Sequence, residues 1–393
     1  MKYLNFSFVL IFFFLSNCKG NHSDMVTVDV VQAFNEAQDL LLSDFVEHLE
    51  YVVLESENPI DRGLKVYSSD NHIICITVAQ IYLFDRQTGK FIREIGRRGN
   101  GAGEYLRPLY FDSETKHIIA QSANLLEYDL NGDIIRAILQ PKNENGTWRL
   151  SSRMFLDRNS IAYYVGNTRE GSAKERLLVA DEYGKVQRIF DNPNNFIQGA
   201  KWFVSGAPSV FYHHGGNTLF FEICVDTIYR VSKDALTPHY HLNMGKYKPP
   251  YEKQDLLFGP PPDQLINEYF SFLNIGESDA FLFFEITHKK NPEFINSFFG
   301  YYDKNRKVTK MADVGKTKRR IVNDIDNFDV IQLSSWTIDE YRNELISYID
   351  AVDIVEWFES NPQQAKALPE HVQKLSQIKP DDDPVVVIAK LKR

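Results

Sequence analysis

Between residues 81 and 108 the chain reads IYLFDRQTGKFIREIGRRGNGAGEYLRP, and the order of its apolar and polar positions returns throughout the molecule. Ile81 and Leu83 alternate with Tyr82 and Phe84; after Thr88-Gly89, Phe91, Arg93 and Ile95 alternate with Ile92 and Glu94. A period of two on both sides of a glycine turn predicts a β-hairpin. The order strand, Asp, turn, strand recurs over 125–139, 177–190, 227–242 and 298–314, with the glycine lost from the turn over 227–242. Asp85, Asp129, Asp181, Ser232 and Asp303 open these turns at separations of 44, 52, 51 and 71 residues. One supersecondary unit per repeat produces such spacing. Asp and Ser there can accept hydrogen bonds from the turn backbone, so architecture alone accounts for them.

Further strands are expected over 26–30, 48–54, 63–67 and 72–78, with a helix or helical turn over 33–42. Hairpins at this spacing, each preceded by two more strands, describe the blades of a β-propeller. A twisted four-stranded blade cannot bury both faces alone, so blades pack on one another and close into a ring with only short edges. Five hairpins are visible, and the chain ends supply a sixth blade if 48–54 pairs with the terminal strand PVVVIAKLK at 384–392. The expected fold is therefore all-β: a six-bladed β-propeller over 26–393, closed by pairing of its N- and C-terminal strands. A few short helices should lie near the C-terminus. Residues 344–349 (ELISYI) read as a strand, with helices near 352–359 and over 362–378. A proline-rich insertion at 245–262 leads to a short helix over 263–270.

Several stretches make the pattern specific: HLEYVVLES at 48–56, TGKFIREIGRRGNGAGEY at 88–105, VDTIYRVSKDALTPHYHLNMGKYKPP at 225–250, ELISYIDA at 344–351, and DDDPVVVIAKLK at the end. In these the chain resembles the six-bladed β-propeller lipoproteins of Bacteroides-like bacteria. The resemblance implies a propeller in the cell envelope, and it implies no defined biochemical role. The loop Asn323-Asp324-Ile325-Asp326 departs from it by continuing Asn327-Phe328-Asp329, where glycines are usual in the family.

The address is written at the start. Lys2 precedes the apolar run FSFVLIFFFL at 6–15, about half the length that crosses a bilayer as a helix. Ser16-Asn17-Cys18 closes it, and the segment resembles a bacterial lipoprotein signal. That implies a signal peptide over 1–17, lipidation of Cys18, and a polar tether over 18–25. An ordinary secretory signal that happens to contain a cysteine is the other reading. The expected location is the cell envelope, lipid-anchored at the outer membrane, with the face undecided. Aromatics at 13% suit strands. A net charge of −9 leaves no basic stripe for phosphate backbones, so nucleic acid is not an expected partner. Cys75 and Cys224 lie in apolar runs that read as strands, and are expected to be free, buried and slow to react.

Candidate chemistry is sparse. Gly96, Gly99, Gly101 and Gly103 fail the dinucleotide fingerprint and precede a strand rather than a helix, so a tight blade-to-blade crossing is the simpler reading. Asp324, Asp326 and Asp329 do not fit the EF-hand loop, and His213-His214-Gly215-Gly216 reads as a turn. No nucleophile elbow, zinc-protease helix motif or Walker loop is present. No catalytic, metal or cofactor residue is assigned. The loops that follow the first and fifth hairpins are expected to meet on one face of the ring. They would present Arg97, Arg98 and Arg107 with Asp324, Asp326 and Asp329 to a polar ligand. The function expected is an envelope-anchored binding or scaffolding module for a protein, peptide or glycan. A carbohydrate-active hydrolase or lyase using the central face is the alternative.

Overall fold

The computed structural model describes residues 25–56, 60, 64–144, 146–148, 150–166, 173–194, 209–253, 268–291, 294–314, 321–330, 333 and 336–393. The signal segment with Cys18 lies outside them, as does most of the stretch expected to be helical over 263–270. No described helix is long and apolar enough to cross a membrane.

Six antiparallel sheets follow one another around a ring. Blade 1 runs from its inner to its outer strand as Lys65–Ser68, His72–Ile76, Ile81–Asp85 and Phe91–Glu94. Blade 2 is Arg107–Asp112, His117–Gln121, Leu125–Tyr128 and Ile134–Ile138. Blade 3 is Leu150–Asp157, Ser160–Val165, Glu175–Asp181 and Val186–Asp191. Blade 4 is Ser209–His214, Asn217–Glu222, Thr227–Val231 and Leu236–Leu242. Blade 5 is Ser271–Glu277, Phe281–Asn291, Phe294–Asp303 and Val308–Asp313. Blade 6 takes Thr337–Asp339, Glu344–Ile349 and Val385–Leu391 from the end of the chain and Val46–Val53 from its start.

The closure expected from the sequence is present in register. Val385 pairs with Val53 and Ala389 with Leu49, while on the other side Val385 pairs with Ile349. The five turn-opening residues also act alike. Asp85 Oδ1 accepts the Thr88 amide, Asp129 the Asn131 and Asp133 amides, and Asp181 those of Tyr183 and Lys185. Ser232 Oγ accepts from Ala235, and Asp303 Oδ1 from Asn305 and Arg306. Each turn is thereby set by its own first side chain.

The N-terminal segment wraps the outside of the ring. Val26–Val28 adds a parallel strand to the outer edge of blade 4, with Val26 opposite Tyr240 and Val28 opposite Leu242. The expected helix over 33–42 is shorter and earlier, at Val30–Asn35, because Asp29 caps it by accepting the Gln32 amide. Leu40–Leu41 leaves the helical pattern to pair with Ile321–Val322. Near the C-terminus, helices Ala351–Ser360, Pro362–Ala365 and Glu370–Gln373 cover blade 6, the first seating Trp357 edge-on to Phe328 at 5.0 Å. Cys75 lies in a strand as expected. Cys224 does not: its strand stops at Glu222, and Cys224 occupies the following turn at φ 75°.

Candidate functional site

Blades 1 to 5 are laid down from the inside outward with four antiparallel strands, an even number, and in blade 6 the N-terminal strand takes the outer place with the same alternation of direction. The outer strand therefore finishes on the face where the inner strand began, and all six inner strands start from one face of the ring. They enclose a central cavity of about 580 Å³. That is the size of a small-molecule or oligomer-end site. Its wall mixes aromatic side chains such as Tyr67, Phe211 and Trp336 with Ser152, Ser209 and charged groups, and Leu273 is half exposed on it.

Charge is divided along the cavity. On the face where inner strands start, Lys65 and Arg107 are the first residues of their strands, and Arg153 lies further along blade 3. Lys65 keeps solvent contact inside the cavity, yet the surrounding walls strip enough water to lower its ammonium pKa. Arg153 is buried, and among the described residues its one acceptor is Gln121 Oε1 of blade 2. Burial lowers the Arg153 pKa, and the neighbouring positive charge of Arg107 acts in the same direction. On the face where inner strands end, Asp112, Glu277 and Asp339 are the last residues of theirs.

Turns from alternate blades reach across that second face. The Gly215 amide of blade 4 donates to Glu340 Oε2 of blade 6 at 2.7 Å. Glu114 of blade 2 lies beside the Tyr341 hydroxyl of blade 6 and, with Asp112, beside His213 of blade 4. Gly215 and Gly216, at φ 56° and 69°, make the two-residue turn that brings the blade 4 amide into place. Burial dominates the titration here. It holds His213 below the usual imidazole range and pushes Glu340 up to about 7. Glu277 is the exception to sparse pairing: it accepts from the Tyr240 hydroxyl at 2.7 Å and the Lys304 ammonium at 2.7 Å. On the wall between the faces, Glu285 is pushed up to about 7 by burial alone.

The residues chosen from the sequence stand elsewhere. None of Arg97, Arg98, Arg107, Asp324, Asp326 and Asp329 is part of the cavity wall. Arg97 is exposed and 3.6 Å from Glu104. Arg98 is exposed and its backbone bridges to Tyr105. Arg107 is exposed, and of the six it is the one whose charge reaches Arg153. The glycine-rich crossing folds around its own carboxylate, since the Gly101 amide donates to Glu104 Oε2 at 2.8 Å. A Cβ at Gly99 would stand 1.9 Å from that oxygen, which is why the crossing needs glycine there. Asp324 accepts from the Ser43 amide at 2.9 Å. Asp326 is buried and accepts from the Tyr51 hydroxyl at 2.8 Å and the Phe328 amide at 3.0 Å, so it binds its loop to blade 6. Asp329 is exposed. Among the described residues no group of three or more His, Cys, Asp or Glu side chains is placed to hold a metal.

Lys65, Arg153, Glu285 and Trp336 were not singled out in the sequence. Their one signal there is a polar or bulky residue in or beside a strand near the inside of a blade, and only a closed ring turns that position toward a cavity.

Among solved structures, the chain is similar to an inferred exported protein of Bacteroides fragilis, at 16% identity and a TM-score of 0.66. The match covers 94% of this chain and 99% of that one. A dihydro-heme d1 dehydrogenase is more distant, at 10% identity and a TM-score of 0.31, covering 66% of this chain and 48% of that one. The first likeness is one of fold and agrees with the six-bladed ring; the second is too slight to bear on it. No curated protein matches the sequence. The family model described as a domain of unknown function, DUF4934, matches residues 25–390, and the chain belongs to that family.

Proposed function

We propose that this protein is an envelope-anchored binding module that holds a polar ligand, borne by a protein, peptide or glycan, in its central cavity. The observation that carries the reading is the cavity itself: about 580 Å³, walled by inner strands and tied across one face. Apolar and aromatic walls with a few convergent polar groups are the usual make-up of a ligand site. The anchor is proposed from the segment 1–17 and the cysteine at 18. The similar fold of an inferred exported Bacteroides protein supports an envelope location. Of the six loop residues, we keep Arg107 as a candidate ligand contact, because it stands next to a cavity residue in charge.

Two experiments test this. Leu273→Trp fills the cavity from a half-exposed position, so it should abolish binding of any ligand seated there while keeping the melting temperature close to wild type. A ligand of unchanged affinity for that variant binds elsewhere and removes the cavity from the account. Cys18→Ala should free the protein from membranes. Quantitative retention of that variant in carbonate-washed membranes would rule out the lipid anchor.

A further inference from the structure

We infer that the central cavity takes a ligand bearing a carboxylate or an equivalent oxyanion, gripped by Arg153 and Lys65 toward the face where the inner strands start. The inference rests on the binding-module reading and narrows its chemistry.

Arg153 carries the argument. Its residue is 7% exposed, and a guanidinium removed from water requires either a counter-charge or a full set of acceptors. Gln121 Oε1 is its one recorded acceptor, and no carboxylate pairs with it among the described residues. Five N–H donors against one acceptor leave most of the fork open. Beside it stand the Tyr163 and Tyr110 hydroxyls and, of its own sign, Arg107. Lys65, on the same cavity wall, likewise has no carboxylate partner among the described residues. A third donor agrees with these two. Trp336 Nε1 is buried at the wall with no acceptor among the described residues.

The carboxylates of the cavity do not answer this need. Asp112 accepts backbone amides of its own turn, Glu340 accepts the Gly215 amide, and Glu277 is held by Tyr240 and Lys304. Burial alone raises Glu285, and no cation among the described residues offsets it. Toward the face where the inner strands start, the open groups are therefore donors, two of them cationic, in a space of ligand size, whereas the open acceptors Asp339 Oδ2 and Glu340 Oε1 lie toward the opposite face. An acceptor-only anion is the complementary group, and a planar carboxylate matches the guanidinium fork with two parallel hydrogen bonds. A uronic-acid residue of a glycan and the C-terminus of a peptide share this chemistry.

The test uses purified protein over residues 19–393 with matched probes: glucuronate and galacturonate oligosaccharides against their neutral counterparts, and peptides with free against amidated C-termini. Calorimetric titration reads affinity. An acidic probe should bind at least roughly tenfold more tightly than its neutral match, the scale of a charge-assisted pair. Arg153→Met should bring the two within about twofold while leaving the apo melting temperature equal or higher, because it removes an unpaired buried charge. The series that responds, sugar or peptide, identifies the source of the anion. Equal affinity for acidic and neutral probes overturns the inference while leaving cavity binding intact. Acidic preference that survives Arg153→Met overturns the assignment of the site, and failure of every acidic probe to bind overturns the anion itself. Failure of the parent reading looks different: the acidic probe would still bind the Leu273→Trp protein.

Discussion

Arg86 Nη1 lies 2.9 Å from Glu344 Oε2, a buried ion pair across the seam where blade 1 meets blade 6. Arg86 also reaches Glu50 at 2.8 Å on the N-terminal strand, and Arg342 reaches Glu344 at 3.0 Å. The network thus joins the first complete blade to both chain ends. Glu344→Ala would leave Arg86 with only the more exposed Glu50, so unfolding free energy should fall by about 1–3 kcal/mol in denaturant titration. The pH dependence has a definite sign. Burial raises the Glu344 carboxyl pKa, but the hydrogen bonds from Arg86 and Arg342 outweigh it, and the folded value is lowered. Its contribution is present above the unfolded pKa and is lost as pH falls through the folded one. The wild type should lose stability in acid more steeply than the Ala variant; parallel acid curves would count against the pair.

Glu285 gives the opposite slope. Its folded pKa is raised to about 7 from an ordinary 4.5, so the folded state binds more protons between those values and stability falls as pH rises through that window. Glu285→Gln should therefore raise the unfolding free energy at pH 8, by on the order of 3 kcal/mol at most, and leave it unchanged at pH 4. The same gain at both pH values would point to packing rather than charge.

Asp326 and Arg98 separate a structural residue from an exposed one. Asp326→Ala removes acceptors from Tyr51, Asn323 and the Phe328 amide and should cost about 1–3 kcal/mol. Arg98→Ala, at an exposed side chain, should stay within about 0.5 kcal/mol. Thermal unfolding of the two variants side by side checks the order, and the reverse order would refute it.

Cys75 and Cys224 are free and buried. Burial pushes both thiols above the ordinary range, which lowers the thiolate fraction on top of the steric barrier. Alkylation of both should be slow in the native protein and complete on denaturation. Fast native labelling of Cys75 would mean that its strand opens far more readily than a central blade strand should.

Removal of residues 384–393 deletes the strand Val385–Leu391, which lies between Glu344–Ile349 and Val46–Val53. The N-terminal strand would lose its ladder partner in blade 6, leaving open edges. The expected outcome is insoluble protein or loss of a cooperative transition. A truncated chain that melts at the wild-type temperature would show that the ring closes by other means.

The sequence by itself determined the ring. Period-two alternation marks strands, and Asp or Ser at five turn openings marks hairpins; both are local properties of a few adjacent residues. Closure was legible for the same reason, since PVVVIAKLK is too apolar to be left unpaired and 48–54 is its natural complement. What the tertiary structure alone decided is which charges face one another. Asp326 and Arg98 both read as polar residues in loops, yet one is buried against Tyr51 and the other is exposed. Arg153 reads as one polar position in a strand, and it becomes a buried, unanswered cation only because blade 2 packs over it with Gln121 and Arg107. Pairing and desolvation depend on distances between blades that are far apart in sequence, and no local pattern encodes them.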